Sequence, residues 1–248
     1  MKISIITATY NSEATVADTL KSIASQSYPD IEHIIVDGSS KDNTLRIVRS
    51  FPHLAHFISE KDTGIYDAMN KGIELATGEV IGILNSDDLY TGPEILKKVM
   101  ELFQDPSIDA VYGDLYYVDP VNTNKVVRTW IAGTYTRKSF YFGWMPPHPS
   151  FFVRKRVYNN LGLFNLELKT AADYEIIIRF MLKNAIKTIY LPEVLVKMRT
   201  GGASNSSLSQ RIRANREDYW AWRLNNLRPN PFTLLLKPLR KIKQFIIK

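Results

Sequence analysis

The chain has 248 residues, enough for one large domain or one domain with an extension. It contains no cysteine, which excludes a disulfide frame, a thiol nucleophile and a cysteine-ligated metal, and suits a reducing compartment. Residues 209–248 hold ten Lys/Arg against two acidic residues, a net of +8, so the other 208 residues sum to −1 of the chain's +7; charge gathered in an appendage argues against nucleic-acid binding through the whole surface.

The opening apolar run, Ile3 to Thr7, is too short and wrongly flanked for a signal peptide and reads as a strand. Further strand-like runs follow at Ile31–Val36, His56–Ser59 and Val80–Leu84. Helical patterns fall between them at Ala14–Ser25, Thr44–Ser50 and Tyr66–Ala76, with Gly78 as a helix stop and Pro93 opening a helix to Phe103. Such alternation predicts a mostly parallel sheet covered by helices, with ligands beyond the carboxyl ends of the strands. The second half is less regular. Ala110–Val118 and Lys125–Trp130 read as strands, Arg154–Asn160 and Asp173–Lys183 as helices, and Thr188–Leu191 and Val194–Met198 as two more strands. Residues 201–207 are Gly/Ser-rich and read as a flexible loop, which with Arg199 could close over a diphosphate. A helical pattern over Leu208–Leu224, a Pro-broken link and a basic tail from Phe232 complete the chain. No apolar stretch approaches the roughly 18 residues of a membrane-spanning helix.

The chemistry concentrates where strands end. Val80–Leu84 runs into Asn85-Ser86-Asp87-Asp88. Paired carboxylates at a sheet exit are costly unless a positive group offsets them, and a hard divalent cation preferring oxygen ligands is the usual candidate. Such a cation would in turn hold a phosphate, which points to a nucleotide-linked substrate. The first strand exits into Ala8-Thr9-Tyr10-Asn11 and the second into Asp37-Gly38-Ser39-Ser40. Asp37 suits the edge of a base and Tyr10 its face, though a turn and helix cap explain the same residues. In Asp62 to Gly72, Gly64 permits a tight turn, Asp62 can reach a base or ribose, and Asn70 and Lys71 follow, Lys71 within reach of a phosphate; an ordinary helix start would suffice for any one of them.

These four motifs, in this order and spacing, resemble the family 2 glycosyltransferases of bacterial surface polysaccharide synthesis, which have the GT-A fold, and the resemblance covers roughly residues 1–205. It implies an α/β, Rossmann-like sheet over residues 1–205 and a helical, basic extension over 206–248. It also implies a nucleotide sugar donor, most often a uridine diphosphate sugar, and inversion at the anomeric carbon. Thr9, Tyr10, Asn11, Asp37, Asp62, Gly64, Asn70 and Lys71 would then bind the donor, with Asp37 and Asp62 on the base. Asn85 would serve the ribose, Ser86 and Asp87 would also bind the donor, and Asp87 with Asp88 would hold Mn²⁺ or Mg²⁺ against the diphosphate. Asn85 stands where the family motif has Asp, and an amide still binds a ribose hydroxyl.

An inverting displacement needs a carboxylate to take the acceptor hydroxyl's proton. Asp173, opening the helix after Thr170-Ala171-Ala172, matches the family's catalytic position; a helix cap is the competing account, and Glu175 is the second choice of base. His148, in Pro146-Pro147-His148-Pro149, matches a His-Pro pair of similar members and is expected at the donor or acceptor; Asp114 suits either the donor sugar or a turn. In the tail, Leu235, Leu239, Ile242 and Ile246 recur at helical spacing beside Lys237, Arg240, Lys241, Lys243 and Lys248, which suits an anionic membrane surface. The expected protein is thus a cytoplasmic enzyme, peripheral on the inner face of the membrane, extending a lipid-linked saccharide. A sugar nucleotidyltransferase, or a non-catalytic scaffold or nucleic-acid binder using the tail, are the alternatives.

Overall fold

A computed structural model describes residues 1–201, 208–233 and 236–237. The expected amphipathic stripe at Leu235, Leu239, Ile242 and Ile246, and the Gly/Ser loop from Gly202, lie outside the described residues.

The first half alternates as its periodicity predicts: β1 (Ile3–Thr9), α1 (Val16–Ala24), β2 (Ile31–Asp37), α2 (Thr44–Arg49), β3 (Leu54–Ser59), α3 (Ile65–Leu75) and β4 (Val80–Ile83). Then come β5 (Asp88–Tyr90), α4 (Ile95–Leu102), β6 (Ala110–Val118), β7 (Val126–Trp130), α5 (Arg137–Tyr141), β8 (Phe151–Arg154) and α6 (Lys155–Leu161). The rest is α7 (Ala172–Ile177), which loosens into a π-helical turn over Ile178–Lys183, then β9 (Thr188–Arg199) and α8 (Leu208–Leu224). The strands form a single curled sheet in the order β3-β2-β1-β4-β8-β6-β9-β5, with β7 beside β6. Strands β3, β2, β1 and β4 are mutually parallel, and the half beyond β4 is mixed.

Burial explains the arrangement. Every residue of β1 is buried, as expected for a parallel strand with helices on both faces. Ile6 and Ala8 face α3 through Ala68, Met69 and Ile73, whereas Ile3 and Ile5 face α4 through Leu96, Val99 and Met100. The two strands expected over 188–198 are one: Pro192 falls where the β6–β9 register shifts between Tyr112 and Asp114, so its missing N–H costs no ladder bond. This topology brings the carboxyl ends of β1 to β4, the residues after them and the start of α7 to one side of the sheet.

At the other end, β2 carries a buried imidazole. His33 is hydrogen-bonded to Thr7 Oγ1 at 3.1 Å and to His53 Nε2 at 3.0 Å. Burial, reinforced by His53, pushes His33 down to about 3. An unfolded chain therefore takes up this proton before the folded one, so the stability from the neutral imidazole is complete above about pH 6.5 and is lost as pH falls toward 3. At about pH 4.5 the loss should be roughly 2–3 kcal/mol. Denaturant unfolding of wild type and His33→Gln between about pH 7 and 4.5 checks this: the acid slope should flatten in the variant, and equal slopes would refute it.

Candidate active site

Asp37, at the end of β2, is wholly buried. Its Oδ1 accepts hydrogen bonds from Thr9 Oγ1 at 3.0 Å and Ser40 Oγ at 2.5 Å, and its Oδ2 from the Ser40 backbone N–H at 2.9 Å and Ser59 Oγ at 2.7 Å. The carboxylate thus uses its acceptor sites to tie together the exits of β1, β2 and β3. Asp37, expected on the base, and Thr9, expected at the donor, are both engaged in pinning these loops. Asn11 extends the tie, accepting from the Lys41 N–H at 2.8 Å, with its own N–H on Ser40 Oγ at 2.8 Å.

What remains open to a ligand at this end is Tyr10, 62% exposed, and Asp62. They flank Gly38, where a Cβ would lie 2.5 Å from Asp62 Oδ2 and 3.4 Å from the Tyr10 ring. Asp62 Oδ1 accepts the Gly64 N–H at 2.9 Å, which starts α3. Lys71 pairs with Glu60 at 2.7 Å and caps the Lys61 carbonyl on the rim of the same loop. Asn70 is turned away from this end. Its amide donates to the Phe164 carbonyl and accepts from the Phe164 N–H, both at 2.9 Å, so it clamps the loop after α6 rather than facing a donor.

The second acidic cluster separates its two carboxyls. Asp88 is wholly buried in β5; its Oδ2 accepts from Asn85 Nδ2 at 3.3 Å, and Oδ1 has no partner among the described residues. Burial and the neighbouring Asp87 push it well above the usual carboxylate range. A carboxyl so placed is costly to ionise unless a positive charge comes close to it. Asp87 is half-buried, raised by burial and pulled back by Arg199 and His148. Arg199 does not close over the site as a lid. Its guanidinium is buried, donating to the Asp87 carbonyl at 2.8 Å and to Asp18 at 2.7 Å, and so fixes the loop that presents Asp87. Ser86 meets Ser12 at 2.8 Å, hydroxyl to hydroxyl, joining this loop to the β1 exit.

Asp173 sits in the first turn of α7. Tyr66 O–H donates to its Oδ1 at 3.1 Å, and His148 Nδ1 lies 3.1 Å from its Oδ2. Burial raises the carboxyl, but the hydrogen bond and charge of His148, with Lys237 and the Tyr174 N–H, outweigh that and hold it at about 2. His148 and Asp173 line one cavity, whose wall is otherwise largely apolar, formed by Phe151, Phe164 and Ile177. Glu175 points elsewhere, into an ion pair with Arg179 at 2.8 Å. Asp114 is also engaged, accepting from the Ala132 N–H at 2.8 Å and the Tyr190 hydroxyl at 2.9 Å. Tyr66 carries no sequence signal that sets it apart from a core aromatic, because its partner is 107 positions away.

A family model described as Glycosyl transferase family 2 matches residues 4–162. The chain belongs to that family. This glycosyltransferase is 34% identical over 209 residues to a PGL/p-HBAD biosynthesis glycosyltransferase of Mycobacterium bovis, covering 82% of this chain and 79% of that protein. It is 31% identical over 181 residues to an uncharacterized glycosyltransferase of Mycobacterium tuberculosis, covering 71% of this chain and 68% of the other. Among solved structures it resembles S. aureus TarS in complex with UDP-GlcNAc, with a TM-score of 0.67 at 22% identity, over 91% of this chain and 65% of that one. A mannosyltransferase from Pyrobaculum calidifontis in complex with GDP-Man and Mn²⁺ gives a TM-score of 0.67 at 22% identity, over 95% of this chain and 68% of that one. The GT-A type of fold follows from these likenesses.

The glycosyltransferase's Asp37 node makes a direct prediction. Asp37→Asn would turn an amide N–H₂ toward hydroxyl and backbone donors and leave some of them unpaired. It should lower stability by roughly 2–4 kcal/mol in urea unfolding. An unchanged midpoint would show that the carboxylate does not hold the strand exits together.

Proposed function

We propose that this enzyme moves a sugar, with inversion, from a nucleoside diphosphate sugar to a hydroxyl of a lipid-linked saccharide, and that a uridine diphosphate sugar is the donor. The observation that carries this reading is the Asp173 carboxylate, held between Tyr66 and His148 in a cavity with an otherwise apolar wall. Family membership supports the reaction class, the UDP-GlcNAc and GDP-Man complexes of similar structures support a nucleotide sugar donor, and the PGL/p-HBAD biosynthesis relative is consistent with the acceptor class.

In this reading Tyr10 and Asp62 receive the nucleoside, Asn85 its ribose, and the Ser86–Asp87 loop the diphosphate. Among the described residues no cluster of acidic and imidazole groups forms an all-protein metal cage. The donor set fits a hard divalent ion, Mn²⁺ or Mg²⁺, that takes one carboxylate from Asp87 and its other oxygens from phosphate and water. Such an ion would neutralise charge on the departing diphosphate. Asp173 takes the acceptor proton. A carboxyl at about 2 is a weak base toward an intact alcohol, but an attacking hydroxyl becomes strongly acidic as its bond to the anomeric carbon forms. An acceptor that displaces Tyr66 or His148 from the carboxylate would also remove a hydrogen bond that stabilises the ionised form, and so raise its proton affinity.

The test is a panel of UDP-glucose, UDP-galactose, UDP-N-acetylglucosamine and GDP-mannose, with and without Mn²⁺, read as thermal stabilisation and nucleotide release. Asp173→Asn should lower turnover about 10²–10⁴-fold while leaving donor-induced stabilisation intact. Asp87→Asn should abolish the Mn²⁺ dependence of that stabilisation. Full turnover in Asp173→Asn would remove it as the base.

Peripheral membrane association belongs to the same reading. No helix among the described residues is long and apolar enough to cross a membrane. Helix α8 exposes Tyr219 and Trp220 to solvent, the latter 55% exposed, and Phe232 follows, exposed as well. Aromatic groups beside Arg216 and Arg223 suit a lipid headgroup layer. Vesicles containing phosphatidylglycerol should retain the full chain, and removal of residues 238–248 should weaken retention several-fold, more so at low salt. Equal retention of both forms would refute a role for the tail.

A further inference from the structure

Helix α8 and the chain beyond it read from the sequence as an appendage, yet their contacts converge on α7, which carries Asp173. Glu217 accepts hydrogen bonds from the Thr170 backbone N–H at 2.6 Å and from its hydroxyl at 2.8 Å, immediately before α7 begins. Trp222, wholly buried, donates from Nε1 to the Tyr174 hydroxyl at 3.0 Å. Asn225 donates to Glu175 at 2.9 Å. The residues on either side of Asp173 are therefore gripped from α8.

The chain then returns. Thr233 O–H donates to the Tyr141 carbonyl at 2.7 Å, and the backbone at Lys237 packs so closely on Gly143, with φ 75°, that any side chain there would collide with it. This return delivers the Lys237 ammonium 2.7 Å from Asp218 of α8 and 3.6 Å from the centroid of the Tyr174 ring. Lys237 is mostly buried, and its charge acts on Asp173 one residue away from that ring. A cation in such a place has two consequences. It ties the return to α8 and to the first turn of α7 together, through an ion pair and a cation–π contact that water barely screens. It also favours the ionised carboxylate at Asp173 against the burial that opposes it.

We infer that Lys237 is a positioning residue for the transfer reaction, locking the first turn of α7 between α8 and the returning chain so that the Asp173 carboxylate stays aimed into the cleft. The inference rests on the reading of Asp173 as the base. It gives the segment after α8 a second task besides any contact with lipid, since part of its positive charge is spent inside the protein.

The experiment uses the full chain and whichever donor of the four-sugar panel is turned over fastest with Mn²⁺. Lys237→Met keeps the apolar stem and removes the charge, and Lys237→Arg keeps the charge. Lys237→Met should lower kcat about tenfold or more with donor KM within about twofold, and Lys237→Arg should restore kcat to within about threefold of wild type. Asp218→Asn, which leaves the lysine in place without its carboxylate, should lower kcat in the same direction and keeps the test decisive if Lys237→Met does not fold. Met and Arg variants of equal kcat would show that only packing matters, and wild-type kcat in both Lys237→Met and Asp218→Asn would likewise overturn the inference. Asp173→Asn run in parallel separates the two claims: its inactivity beside an unaffected Lys237→Met rejects the positioning role alone, whereas full activity in Asp173→Asn rejects the base itself.

Discussion

A buried carboxylate must find compensating hydrogen bonds or charge, and much of this enzyme is arranged around that requirement. Asp173 is mostly buried at the start of α7, and Tyr66 from α3 and His148 from the proline-rich segment before β8 converge on its two oxygens. Those partners come from distant parts of the chain, so the carboxylate holds together elements that hydrophobic packing alone would leave free to slide. The same contacts hold the carboxyl below the usual carboxylate range against the burial that opposes ionisation.

Asp37 shows the same principle at the strand exits. Its carboxylate collects donors from three strand exits and leaves Tyr10 and Asp62 as the groups facing outward. Asp88 shows the opposite case, a buried carboxyl with one oxygen lacking a described partner, which makes it costly to ionise. Three acidic residues in sequence motifs of similar appearance therefore have three different electrostatic fates. What separates them is the number of donors that folding brings to each, and no local pattern records that number.

Helix α8 has little amphipathic signal, because it makes its contacts through a few polar and aromatic residues rather than an apolar stripe. Glu217, Trp222 and Asn225 each serve a residue of or next to α7. The charge excess of the last forty residues suggested an independent appendage. One of its cations, Lys237, is instead an internal partner of Asp218 and Tyr174. Composition counts charges but does not say which of them face water.

Strand and helix alternation through β4, the exits bearing Asp37, Asp62 and Asp87, and membership of the glycosyltransferase family were all legible along the chain, because periodicity and strand-end motifs are local. The three-residue β5 and four-residue β8 were not, since β5 is too short to show a period and β8 is squeezed between a proline-rich segment and the start of α6. Nor was the continuity of β9, where Pro192 looked like a break until its partner strand supplied a bulge. The sequence alone determined which acidic residues arrive at the ligand side of the sheet. Tertiary structure decided which of them is pinned by several donors, which is buried with few and which is paired across the fold, because those outcomes depend on donors contributed from as far as 107 residues away.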